Sequence, residues 1–377
     1  MLASTTVLAA ALILGTTGPA LADPSSPPPV TSIVALAAPD LQYLCGQFSV
    51  DYNATNPPNP LYCWYAVNPA SGAIGDTIET KNDPDCKIVR PDDSTAIIKQ
   101  LQARLKTSSG GAYCVDLGFV TRNIKSSDGA GIVSVLFAKD LTTYSIYNGG
   151  NGVTNLTDTD LAAIYECNAS LINSSYSGPV KWSEVGGTST DAIEPVLPES
   201  FSDTRSGWLA DIGVTTPGSC VVDGTYNGVA IAANEGTNPV FTAAGNPSGY
   251  KDVLFPFSGG SYVSQVYTKA IPNTTGALVL EEIDGKAPLT AADVINVTGT
   301  NAFPATYIHG EYAVTLNAGT ATAPKVPVTP IDLTKLLGQG DKSGWICGAS
   351  ETSTKAATDI KEFGFATTAN CGALTGQ

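Results

Sequence analysis

Positive charge is scarce in this chain: 19 lysines and arginines stand against 34 aspartates and glutamates, for a net charge of −15. So acidic a surface excludes recognition of nucleic acid or of an anionic membrane, both of which need clustered cations. Histidine occurs once, at His309. A Ser-His-Asp site therefore has a single candidate base, and no Gly-x-Ser-x-Gly elbow accompanies it. Neither His-Glu-x-x-His nor a run of His/Asp ligands occurs, which removes the usual metal-hydrolase patterns, and no Cys-x-x-Cys pair suggests zinc or thiol exchange. After the N-terminus, no apolar run reaches the roughly 20 residues that a membrane helix requires. These absences point away from an enzyme, and no cofactor or metal is expected.

What is present describes a folded protein. Of 377 residues, 43% are hydrophobic and only 14% charged, a balance incompatible with disorder and a length sufficient for two domains with their own cores. The first 22 residues, MLASTTVLAAALILGTTGPALA, combine an apolar stretch with a small-residue cleavage site and read as a signal peptide for export. Residues 23–31, DPSSPPPVT, form a Pro/Ser spacer. The eight cysteines are even in number and suit an oxidising compartment. Many connectivities are open in principle, but loop locality suggests Cys45 with Cys63, Cys86 with Cys114, Cys167 with Cys220, and Cys347 with Cys371. Localisation is accordingly expected to be secreted or cell-surface associated.

Along the chain, helical and strand-like patterns alternate. STAIIKQLQARLK begins a helix that Asp93 or Ser94 caps, and Thr157 to Asp160 opens another before LAAIYEC. Buried strands are expected within residues 113–120, 132–140 and 193–197, a further strand in 229–237, and a strand-to-helix passage in LFPFSGGSYVSQ. TATAPKVPVTP has no period and reads as an extended connector before a helix over 353–363. This alternation predicts an α/β fold with a largely parallel sheet.

The most informative segment is IEPVLPESFSDTRSGWL, where an apolar run gives way through a hydroxyl-rich turn to a helix. Ser200, Ser202 and Thr204 fall where free backbone N–H groups converge, an arrangement able to hold an oxyanion. The commonplace alternative is that Ser94, Thr95, Ser202 and Thr204 simply serve helix N-termini, and that Arg122 and Arg205 form salt bridges.

Five blocks in order, RPDDSTAIIKQL, YCVDLGFVTR, NLTDTDLAAIYEC with WSEVGG, IEPVLPESFSDTRSGWL and LFPFSGGSYVSQ, resemble the substrate-binding proteins of phosphate ABC transporters, in particular a secreted actinobacterial branch that contains cysteines. The resemblance covers roughly residues 74–270, with a weaker echo at 345–371. It implies a type II periplasmic-binding-protein-like fold, two α/β lobes with a ligand cleft between them. It implies lobe one over 32–137 plus 254–317 and lobe two over 138–253, with 318–377 as connector and disulfide-tied C-terminal helix. It also implies inorganic phosphate or another small oxyanion as ligand and an ABC transporter permease as partner. Closure about a hinge and charge-assisted hydrogen bonds from fixed donors would replace the water around a dehydrated anion.

Position by position, Ser94 and Thr95 match paired serines that precede the family's lobe-one helix, followed by Lys99 and Gln100. Ser202 and Thr204 match a Ser-Gly-Ser-Gly-Thr turn, and Arg205 the arginine after it. Phe201 and Asp203 stand where that turn has glycines. Val120 replaces a serine, and Thr121 stands where the family keeps a carboxylate that accepts the ligand's proton. Near residues 35–40, ALAAPD replaces a Gly/Thr-rich loop. The candidate ligand-binding set is thus Ser94, Thr95, Thr121, Ser200, Ser202, Asp203, Thr204 and Arg205. Asp203 either accepts a proton from a protonated ligand or repels an anion. A secreted surface or interaction protein that keeps the scaffold without binding phosphate is the alternative.

Overall fold

The computed structural model describes residues 23–69, 71, 74–348 and 353–377, so the expected signal peptide lies outside the described residues. An 11-stranded sheet organises the molecule. Its strands in chain order are β1 Ile33–Ala37, β2 Leu61–Tyr65, β3 Leu117–Val120, β4 Ile132–Tyr147, β5 Glu194–Leu197, β6 Val222–Asp223, β7 Val253–Ser258, β8 Leu278–Leu280, β9 Ile308–Leu316, β10 Ala366–Thr367 and β11 Leu374–Gly376. The spatial order is β2-β1-β3-β9-β4-β7-β5-β6, with β8, β10 and β11 also paired to β4.

The expected parallel sheet is present only at the two ends. β1 is parallel to β2 and β3, and β5 is parallel to β7 and β6. The centre is antiparallel: β9 runs against β3 and β4, and β4 runs against β7. β4 is 16 residues long, about 50 Å at the rise of a strand. Its first half packs Val135 and Phe137 with Phe48, Phe119 and Trp345, and its second half packs Leu141 and Tyr144 with Trp182, Trp208 and Tyr307. Each end of the sheet therefore has its own core, and β4 and β9 are shared between them. This is how one chain makes two α/β lobes.

Burial on both faces explains the apolar strand sequences. Along β1, Ile33, Ala35 and Ala37 face the core that holds α1 (Gln42–Asn53), while Val34 and Leu36 face the core that holds α2 (Ser94–Ala103). At the other end α3 (Asp158–Tyr165) and α4 (Asp203–Asp211) contribute Leu161, Ile164 and Trp208, while Phe241, Phe255 and Phe257 fill the opposite face. α5 (Gly259–Val266) follows β7 directly.

Several expectations differ in detail. Residues 229–237 form a strand only at Val229–Ala230, because the polar run after Ile231 turns to bring Asn234 inward. The strand within 113–120 is confined to β3. Within 254–317, Leu254, Val263, Ile283, Ile295 and Tyr307 share a core with residues of 141–214, while Ala270, Ile271 and Ala313 pack with the first core. The C-terminal segment is more than a connector: Val326, Leu336, Trp345, Ile360 and Phe365 enter the first core. α6 (Thr334–Leu337) and α7 (Ser353–Glu362) lie in this segment. All four suggested cysteine pairs are disulfides, and each links positions close in sequence.

Candidate functional site

The N-terminus of α2 faces the N-terminus of α4 across the two lobes. Asp93 caps α2, its side chain accepting from the Ala96 N–H at 2.5 Å. The following residue, Ser94, is fully buried. Its backbone N–H donates to Asp203 Oδ2 at 3.0 Å and its hydroxyl donates to the same oxygen at 2.6 Å. The Thr121 N–H donates to Ser94 Oγ at 3.1 Å, and the Thr121 hydroxyl lies 3.4 Å from it. Free amides and a hydroxyl at a helix N-terminus make a site for an oxyanion. Here the oxyanion is a carboxylate of the chain itself.

Asp203 reaches this position because it is the first residue of α4, with Ser202 as N-cap accepting from the Arg205 N–H at 3.2 Å. Neither Phe201 nor Asp203 has a positive φ, so the turn needs no glycine for its backbone. The side chain at 203, not the backbone, enters the donor site.

A second cross-lobe contact runs in the opposite sense. Asp40, at the end of β1, accepts from the Thr204 hydroxyl at 3.2 Å and from Asn234 Nδ2 at 2.7 Å. Asn234 is held by the Ser258 N–H, which donates to its Oδ1 at 2.7 Å. Ser258 caps α5, and its hydroxyl donates to Asp140 Oδ2 at 2.5 Å, while the Gly260 N–H donates to Asp140 Oδ1 at 2.8 Å. Two carboxylates thus latch the cleft reciprocally: Asp203 on lobe one's donors, Asp40 on lobe two's.

The remaining candidates are engaged elsewhere. Thr95 Oγ1 accepts from Arg122 Nη2 at 3.0 Å, and Arg122 forks onto Asp128 with both contacts at 2.8 Å. Arg205 pairs with Asp223 and donates to the Pro198 carbonyl at 3.0 Å. Ser200 is exposed. Asp116, immediately before β3, is buried against Lys81 at 2.8 Å and accepts from the Val34 N–H, which makes it part of the core. His309 lies in β9 inside the sheet and is only partly exposed. Its Nε2 is 2.9 Å from Asp211 Oδ2, at ion-pair distance but without hydrogen-bond alignment.

Acidic groups dominate the electrostatics of the cleft. Burial, then the charges of Asp140 and Asp203, push the Asp40 carboxyl up to about 7 against the pull of Thr204 and Asn234. Burial also raises Asp203 despite the Ser94 hydrogen bonds, and raises Asp140 despite those from Ser258 and Gly260. Glu311 on β9, 2% exposed, is pushed well above the ordinary range by burial and by the charges of Asp140, Asp40 and Asp203. Its Oε2 has no hydrogen-bond partner. Burial works against protonation of His309, but the Asp211 carboxylate beside it, and then the charge of Asp140, outweigh it and raise the imidazole above its usual value.

Asp140, Asn234 and Glu311 were not singled out in the sequence, and Asp40 entered only as the last residue of ALAAPD. The signal for Glu311 is a lone acid in the otherwise apolar run IHGEYAVTL, and Asp140 likewise ends IVSVLFAKD. Nothing local distinguishes Asn234.

The architecture is that of two α/β lobes that share the strands β4 and β9, and solved structures share this fold. The chain is similar to an ABC-type phosphate transport receptor from Vibrio cholerae, at a TM-score of 0.52 and 14% identity, over 89% of this chain and 100% of that one. A putative phosphate ABC transporter substrate-binding protein with bound phosphate from Clostridium perfringens aligns at a TM-score of 0.47 and 12% identity, over 89% of this chain and 99% of that one. No family profile matches the chain, and no curated protein does. At such identity the likeness establishes the fold, and the ligand must be argued from the cleft itself.

Proposed function

We propose that this chain is an exported solute-binding protein that works by closure of its two lobes and in which an internal carboxylate fills the oxyanion position, so that inorganic phosphate is not its ligand near neutral pH. One observation carries the reading: Asp203 Oδ2 takes both the N–H and the hydroxyl of Ser94 at the N-terminus of α2. An incoming phosphate would have to displace that carboxylate and then sit beside it, with Asp40, Asp140 and Glu311 nearby. Like charges in a poorly solvated cleft oppose this. Export is supported by the N-terminal apolar stretch and by four disulfides. Among the described residues no helix is long and apolar enough to cross a membrane. A transporter permease is the partner class this reading implies, and no covalent step is part of it.

Calorimetric titration of the mature protein with phosphate at about pH 7.5 tests the proposal, with no saturable heat expected up to about 1 mM. Asp203→Gly removes the internal occupant, and this variant is expected to gain phosphate binding that Ser94→Ala in the same background abolishes. Saturable phosphate binding by the unaltered protein would refute the proposal. It would support the second reading, capture of phosphate or a related oxyanion by displacement of Asp203, which the donor set of Ser94 and Thr121 favours.

A further inference from the structure

Four carboxylates from both lobes and both shared strands gather at the cleft: Asp40 beside β1, Asp140 on β4, Asp203 on α4 and Glu311 on β9. The charges of the first three all act on Glu311. Opposing them is His309, whose charge acts on Asp140 but which is already paired with Asp211. Asp40, Asp140 and Asp203 each accept hydrogen bonds from the protein. Glu311 is different, because its Oε2 is buried and without a partner. A buried acceptor without a donor costs free energy and calls for an occupant that donates.

We infer that the cleft binds a small organic cation, one that carries an ammonium or guanidinium group, with Glu311 as its principal acceptor. This rests on the proposed function above and assigns the ligand class of the same cleft. A metal ion fits less well. It draws its oxygen ligands to within about 2.0–2.6 Å of one point, and no group of three or more His, Cys, Asp or Glu side chains among the described residues is placed to do so. An ammonium or guanidinium spreads its N–H donors over a wider span and can satisfy separated carboxylates together. When the lobes part, Asp203 and Asp40 lose the donors of Ser94 and Thr204, and the N–H groups of the ligand replace them. The net charge of −15 raises the local concentration of cations around the molecule.

The test is thermal-shift and calorimetric titration of the mature protein at about pH 7.5, with methylguanidinium, putrescine, calcium chloride and sodium phosphate as probes at matched ionic strength. Saturable stabilisation by methylguanidinium or putrescine is expected, weakened about tenfold or more in Glu311→Gln. Binding should also tighten from about pH 5.5 to about pH 8 as the carboxylates ionise, with protons released to buffer. The proton release should fall in Glu311→Gln, which a merely structural Glu311 would not cause. Glu311→Gln removes the ionisable carboxyl and keeps the side chain's shape, and Asp140→Asn provides a second variant with the same expectation. No saturable response to either organic cation, a response to calcium alone, or unchanged affinity in both variants would overturn the inference. Phosphate binding by the unaltered protein would refute instead the reading of an internally filled oxyanion site, so the two failures are distinguishable.

Discussion

Asp40→Asn is the sharpest probe of the latched cleft. The substitution preserves shape: Asn Oδ1 still accepts from Asn234, and its amide donates to Thr204 once that hydroxyl turns. What it removes is a titration. The Asp40 carboxyl rises from an ordinary 3.8 to about 7 in the folded protein, and at about 1.4 kcal/mol per pH unit this is on the order of 4 kcal/mol. Partial exposure of the side chain and local relaxation reduce it to about 2 kcal/mol. A carboxyl whose folded-state value is raised keeps its proton in the folded protein and loses it in the unfolded chain. Its contribution is therefore fully present below about pH 4 and is lost as pH rises through about 7. Urea unfolding across this range should show the two proteins nearly equal at about pH 4.5 and the variant more stable by about 2 kcal/mol at about pH 7.5. Burial likewise raises Asp140, Asp203 and Glu311, so the unaltered protein should lose further stability as pH rises above the ordinary carboxylate range. Asp76 and Asp128 are lowered and act in the opposite sense, but only as pH falls through the ordinary carboxylate range. A variant no more stable than the parent at about pH 7.5, or equally displaced at both pH values, would refute the reasoning.

Two other outcomes follow from the framework that holds the cleft. Lys81→Met leaves Asp116 buried without its partner at 2.8 Å and should cost about 3–5 kcal/mol, most of it recovered when Asp116→Leu is added, as denaturant unfolding of the single and double variants will show. Replacing Cys347 and Cys371 by serine opens a bridge of sequence separation 24 and should destabilise by about 2–4 kcal/mol, read as a lowered urea midpoint.

Local patterns carried much of the fold. The capped start of α2 and the Thr157–Asp160 capping box were legible because a capping side chain lies within a few residues of the N–H it serves. The four disulfides were legible for a similar reason, since each joins two cysteines that are consecutive in the sequence. The central antiparallel strands were not. β9 pairs with β4 across more than 150 residues, and its sequence has the same apolar character as a parallel strand, so pairing direction left no trace in composition.

For the site, the sequence identified the two helix N-termini and the odd residue between Ser202 and Thr204. It left Asp203 with two roles, proton acceptor or source of repulsion. The structure adds a third: its carboxylate is itself the anion at Ser94. That role depends on a hydrogen bond between residues 109 apart, which no periodicity encodes.

By itself, then, the sequence determined an acidic, disulfide-bearing α/β chain with capped helices able to present donors, because those properties reside in composition and short-range spacing. Only the tertiary structure decided that the donors of one lobe meet the carboxylate of the other, and that Asp40, Asp140 and Glu311 share the same space. Long-range packing along β4 and β9 sets both distance and burial, and those two quantities govern whether a carboxylate repels an anion, takes its place or calls for a cation.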